Sequence, residues 1–212
     1  MPPRPVTPDA LADLLTELCS AASPSGRLRV VVDGPPVATP GTLADAVAAG
    51  LRTRGRPVAR VGAEDFLRPA SVRFEHGRTD PDAHLHDRLD LDALRREVLD
   101  PWGPGGSGRY LPTFWDPVRD RATRAGYLSV PDAGVLLVDG SLLLGRGLPF
   151  DLAVHLRLSP GALERRIAEE WMREAFTRYA EDFAPESAAD VVVRWDDPRH
   201  PAVEVRSRPA SR

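Results

Sequence analysis

Hydrophobic residues recur with a helical period in some stretches of this chain and as short apolar runs in others. Leu11, Leu14, Leu15 and Leu18 fall on one helical face, and Thr7-Pro8-Asp9 supplies its cap with proline at the first helical position. The largely apolar run Leu28 to Val32 predicts a strand. Leu43, Val47 and Leu51 then mark a helix opening at Thr42 and ending near Gly55. Pro57 to Val61 predicts a second strand, and Leu91 to Leu99 a helix followed by a flexible turn over Pro101 to Gly106. Buried strands are predicted at Gly134 to Asp139 and Asp151 to Leu158, a helix from Pro160 to about Tyr179, and a last strand over Ala189 to Val193. Short apolar strands separated by helices imply an α/β protein, with a parallel sheet covered on both faces. One domain over residues 7–205 is expected, with flexible tails at 1–6 and 206–212 and no internal repeat.

Composition narrows the function classes. The 212 residues suffice for one α/β domain with a sizeable core. A net charge of −3 gives no general attraction to nucleic acid or an anionic membrane. One cysteine, Cys19, excludes an intramolecular disulfide and fits a reducing cytoplasm. No apolar run reaches the roughly 18 residues of a membrane span, and no signal-peptide pattern opens the chain. All 28 basic residues are arginine, so no lysine is available for any site.

The run Val31-Val32-Asp33-Gly34-Pro35-Pro36-Val37-Ala38-Thr39-Pro40-Gly41-Thr42 joins strand to helix in the setting of the phosphate-binding motif G-x-x-x-x-G-K-[ST]. Counting from Gly34, the second glycine falls on Thr39, the lysine on Pro40 and the metal-binding hydroxyl on Gly41. In the intact motif, backbone N–H groups wrap an anion at the helix N-terminus. Here Thr39 brings a Cβ where glycine would tolerate positive φ, and Pro40 deletes an N–H. Thr42, one position late, is the nearest hydroxyl. An ordinary βα turn would carry the same pattern.

Further along lie Glu64-Asp65-Phe66-Leu67-Arg68-Pro69, Asp92-Ala93-Leu94, Leu99-Asp100-Pro101 with Gly103-Pro104-Gly105-Gly106, Leu136-Leu137-Val138-Asp139-Gly140, and Ala189-Asp190-Val191-Val192-Val193. In this order and spacing, together with Val31 to Pro35, they make the chain resemble the bacterial members of the uridine kinase family of P-loop nucleoside kinases, from about residue 10 to residue 205. The resemblance implies a three-layer P-loop NTPase-like fold. It also implies transfer of the ATP γ-phosphoryl to a nucleoside hydroxyl with magnesium, a reaction that rests on positioning and charge stabilisation.

Carried over by resemblance, Gly34, Thr39, Gly41 and Thr42 hold the nucleotide phosphates and Asp139 helps organise magnesium. Glu64 stands at the base position, its extra methylene displacing the carboxylate by about 1 Å, and Asp65 follows it. A strand-end carboxylate can also simply cap a turn, for Glu64 as for Asp139. Trp115-Asp116 falls where the family has an aromatic–acid pair near the base, though Trp115 suits a core equally. His84 and Asp87 fall in the ribose-contacting segment, where a solvated loop is the alternative. Arg166 and Arg173 occupy the lid position, seven apart and so on one helix face, aimed at one anion or paired with neighbours such as Glu169.

Two function classes follow. One is a working kinase of a nucleoside or other small hydroxyl compound, with arginines in place of the loop lysine. The other is a descendant that has lost phosphoryl transfer and keeps the fold for binding. Loss of the lysine, one N–H and the metal hydroxyl together favours the second. Losing one preorganised charge-stabilising donor commonly costs about 3–4 kcal/mol of barrier. ATP and magnesium are then expected to bind weakly, and the partner to be a nucleoside-like small molecule.

Overall fold

The structure, a computed structural model, describes residues 3–23 and 25–206. Strand β1 (Arg4–Pro5) leads to helix α1 (Pro8–Ala22), whose first turn is closed by Thr7 Oγ1 accepting from Ala10 N at 3.2 Å. The central strand β2 (Leu28–Asp33) passes through the glycine–proline turn into α2 (Pro40–Thr53), and β3 (Val58–Gly62) follows. Short helices α3 (Ala70–Arg73), α4 (Pro81–His86) and α5 (Leu91–Leu94) come next. A wide π turn over Arg95–Leu99 then runs into α6 (Asp100–Trp102). Asp80 and Asp90 cap α4 and α5 through Ala83 N and Ala93 N, as short polar side chains do at helix starts.

A lobe over residues 107–130 carries two small hairpins, β4 (Arg109–Tyr110) with β7 (Leu128–Ser129) and β5 (Trp115–Asp116) with β6 (Arg121–Ala122). The main sheet resumes with β8 (Val135–Gly140) and β9 (Leu152–Arg157). The chain then forms α7 (Pro160–Arg166), α8 (Glu170–Phe183), α9 (Pro185–Ala188), β10 (Val191–Arg194) and β11 (Ala202–Val205). Spatial order is β1-β11-β10-β9-β2-β8-β3; β3, β8, β2, β9 and β10 are parallel, β11 runs antiparallel to β10, and β1 runs antiparallel to β11.

Burial of both sheet faces explains why β2 and β8 read as largely apolar runs. Val30, Val32 and Val154 bury against Leu11 and Leu15 of α1 and Leu43, Val47 and Leu51 of α2. Val31, Leu136 and Val138 bury on the opposite face against Phe66, Leu94 and Trp102.

Four expectations are corrected. The helix expected from Pro160 to Tyr179 is two helices, because the chain is extended at Ile167 (φ −114°, ψ 112°) and α8 restarts after Glu169. Residues 4–6 are not a loose tail: Arg4–Pro5 pair with Ala202–Val203, and Val6 N–H donates to Pro201 O. Arg206 N–H likewise donates to Asp190 O; the expected tail residues 1–2 and 207–212 lie outside the described residues. Trp102, expected in a flexible turn, is 1% exposed and part of the core.

Candidate functional site

The phosphate-loop segment and Asp139 meet at the carboxyl edge of the sheet. Parallel pairing of β2 with β8 sets Val32 beside Asp139 and Asp33 beside Gly140, so the turn after β2 rises next to the acid at the end of β8, where such folds place ligands. A Cβ added to Gly34 would lie 2.8 Å from Leu156 Cβ, so only glycine fits there.

The loop itself holds little that could cradle an anion. Pro35, Pro36 and Pro40 have no N–H. Gly34 N–H donates to Gly140 O (3.0 Å), Ala38 to Pro35 O (2.8 Å), Thr39 to Pro36 O (3.0 Å) and Thr42 to Thr39 O (3.0 Å). Between Gly34 and Thr42 that leaves the N–H groups of Val37 and Gly41. Thr39 takes the left-handed conformation that glycine adopts freely (φ 50°, ψ 56°), and its side chain makes no capping bond. Pro40, at the lysine position, is buried, while Thr42 is exposed.

Arg60, which the sequence reading did not single out, fills the space between these elements. From β3 its guanidinium donates through Nη1 to Asp45 of α2 and through Nη2 to Asp139 of β8, with Gly41 O 3.5 Å from Nη2. A serine at Gly41 would meet this arrangement directly, since a Cβ there would lie 2.9 Å from Asp139 Oδ2. Burial raises the Asp139 carboxyl above its ordinary value, although the bond and charge of Arg60 pull it down. Arg60 was findable as a lone charge inside a strand of alternating burial; its partners, 15 and 79 residues away, were not.

The other acids are engaged locally. Glu64 forms a two-point pair with Arg88, through Nε at 3.3 Å and through Nη2. Asp65 is raised by burial first, and further by the charges of Asp139 and Glu64. Its carbonyl accepts from Phe114 N at 2.9 Å, tying the 107–130 lobe to the sheet edge. Asp87 lies 3.5 Å from Arg68. Asp116 accepts from Val118 N and Arg119 N, each at 3.0 Å, so it closes its own hairpin turn. Trp115 is half-buried and packs on the core with Nε1 donating to Asp120 at 3.1 Å.

Two expected groupings are not brought together. His84 sits in the α4–α8 interface, edge-on to Trp171 (5.2 Å) and Phe176 (6.2 Å). Burial there lowers its pKa to about 4, with the charge of Arg88 adding to the effect. It therefore lies in packing and not in a solvated loop. Arg166 and Arg173 are on different helices and share no face. Arg166 reaches the phosphate loop, donating to Val37 O and to Trp195 O. Arg173 donates to Ile167 O and Ala168 O at 2.7 Å each, binding the end of α7 to α8.

The residues present do not fit a magnesium–nucleotide pair. Magnesium takes one or two carboxylates together with substrate phosphates, so a small protein ligand set would suffice in principle. Here the one carboxylate at the strand end is held by a guanidinium, and Gly41 offers no hydroxyl. Among the described residues no group of three or more His, Cys, Asp or Glu is placed to hold a metal ion. No helix among them is long and apolar enough to cross a membrane.

Neither a protein-family model nor a curated protein sequence matches the chain. Solved structures do. A Bacillus stearothermophilus protein described as a possible uridine kinase superposes with a TM-score of 0.71 at 22% identity, over 86% of this chain and 97% of that one. A candidate fructose transport system kinase from Silicibacter sp. TM1040 superposes with a TM-score of 0.59 at 23% identity, over 86% and 93%. At these identities the likeness is one of fold: a three-layer α/β architecture shared with these two proteins.

Proposed function

We propose that this chain is a nucleoside-kinase-like protein that no longer carries out magnesium-dependent phosphoryl transfer from ATP, and that it uses the fold to bind a nucleoside or similar small hydroxyl compound. The observation that carries this reading is the Arg60 guanidinium bridging Asp139 and Asp45 beside Gly41. A cation supplied by the protein stands where the reaction needs an exchangeable metal, and it offsets the acid that would hold that metal. Consumption of the loop N–H groups points the same way, because oriented donors are what an anion site is made of. The fold neighbours being kinases supports descent from a phosphotransferase.

A second reading keeps catalysis. Arg166 already reaches the loop through Val37 O, and guanidinium groups bind phosphate bidentately, so arginine could replace the lysine. The two readings separate in one assay: nucleotide product from MgATP with uridine, cytidine and other hydroxyl acceptors, for the native chain beside Glu64→Gln and Asp139→Asn. Product at background for all three is expected. Robust turnover abolished by Glu64→Gln would establish the working-kinase reading, with Glu64 as base.

A further inference from the structure

A cavity of about 550 Å³ lies away from the Arg60–Asp139 cluster. Asp139 ends β8 on one flank of the central strand β2, and the cavity opens over the end of β9 on the other. It sits between α7, α8 and α9, with Pro35 of the loop at its edge. Its volume is within the roughly 300–1,000 Å³ of small-molecule sites.

His155 lines this cavity and is fixed from behind. Asp33 is fully buried and faces three donors: Leu143 N at 2.9 Å, His155 Nδ1 at 2.8 Å and the Tyr179 hydroxyl at 3.2 Å. The one Tyr179 proton has Leu144 O within the same 3.2 Å, while Leu143 N and His155 Nδ1 face the Asp33 carboxyl oxygens directly. With Nδ1 held by the carboxyl, Nε2 is the ring atom left for a ligand, and it makes no hydrogen bond to the described residues. A buried acid that orients a histidine at a cavity wall is more polar machinery than packing alone requires.

Both cations on the cavity wall are paired within the protein. Arg157 Nε donates to Glu186 Oε1 at 2.7 Å, and Arg206 donates to Glu204 at 2.9 Å and to Glu186 O. Glu181 completes the set of two arginines and two glutamates on the lining. No unpaired cation therefore remains on the lining to attract a phosphate or carboxylate group. Phe176, Leu158 and Leu163 supply an apolar wall.

We propose that this cavity is a binding site for an uncharged, hydroxyl-bearing ring compound of about nucleoside size, its hydroxyl hydrogen-bonded to His155 Nε2 and its ring lying against Phe176 and Leu163. The site is independent of whether the phosphate loop turns over ATP.

The test is an NMR titration that follows the His155 ring signals, assigned with His155→Phe. Uridine, adenosine and tyrosol are the uncharged probes; UMP, AMP and 4-hydroxyphenylacetate are their charged counterparts. At least one uncharged probe is expected to saturate with a Kd below about 1 mM, shifting His155, while its charged counterpart binds at least tenfold more weakly. Ala180→Trp, an exposed α8 position on the lining, fills the cavity and leaves Asp33 and His155 in place. It keeps the test valid if His155→Phe does not fold. It should weaken binding at least tenfold. The proposal is overturned if no uncharged probe saturates below about 10 mM, if the charged counterpart binds as well, or if Ala180→Trp leaves affinity unchanged.

Discussion

At the scale of single residues, Thr39 is where the turn after β2 carries backbone strain. Its φ of 50° is the left-handed conformation that glycine adopts freely and a β-branched residue resists. The side chain returns nothing for the strain, since it makes no capping bond and is exposed. Left-handed backbone costs an ordinary residue roughly 1–2 kcal/mol, and glycine gives part of that back through its greater freedom when unfolded. Thr39→Gly is therefore expected to stabilise the fold by about 0.5–1 kcal/mol in urea denaturation; a destabilised variant would show that the loop is not strained at Thr39. The position of Thr39 in the motif was legible from spacing alone. The partners of Arg60 were not, because a contact across the fold leaves no local mark on the sequence.

At the scale of elements, the parallel core was legible because strands buried on both faces must be apolar throughout, as Val30–Val32 and Val135–Val138 are. The pair β1 and β11 was hidden: two residues beside Pro5, and four residues interrupted by Glu204, are too short for a period to declare itself. The break between α7 and α8 was hidden too, since charged residues continue across Ala168-Glu169-Glu170 as they would on a solvated helix face. That break lets α8 turn and pack on α4, which encloses His84. The folded state holds His84 neutral down to about pH 4, whereas the unfolded chain takes a proton near 6.5. As pH falls from 6.5 toward 4, the unfolded state thus binds more protons and stability drops, by at most about 1.4 kcal/mol per pH unit from this group. His84→Phe keeps a ring against Trp171 and Phe176 and removes the titration. Denaturation at pH 7 and pH 5 should show the native chain losing more stability than this variant on acidification. Equal losses would mean that the α4–α8 interface opens to protons.

For the molecule as a whole, Arg60 ties α2, β3 and β8 together beside the loop, so on the proposed reading changes at the loop alone are expected not to give nucleotide binding. Thr39→Gly, Pro40→Lys and Gly41→Ser together return the motif's glycine, charge and hydroxyl. The new serine would nonetheless press its Cβ on Asp139 Oδ2, and Arg60 would still hold that carboxylate. Adding Arg60→Gln frees Asp139 and leaves a neutral side chain facing Asp45. Thermal unfolding reads the outcome through the whole fold, because a ligand that binds only the native state stabilises it by RT ln(1 + [L]/Kd). With a native Kd at or above about 1 mM, MgATP at about 1 mM adds no more than about 0.4 kcal/mol. For a chain of this size that is a Tm shift of about 2 °C at most. The fourfold variant, if its Kd falls to about 10 μM, gains about 2.7 kcal/mol and a shift of about 5–10 °C. The threefold variant that keeps Arg60 should stay near the native value. A large shift in the native protein would mean that arginine already does the lysine's work. Equal shifts in the threefold and fourfold variants would show that Arg60 is not what keeps magnesium nucleotide out.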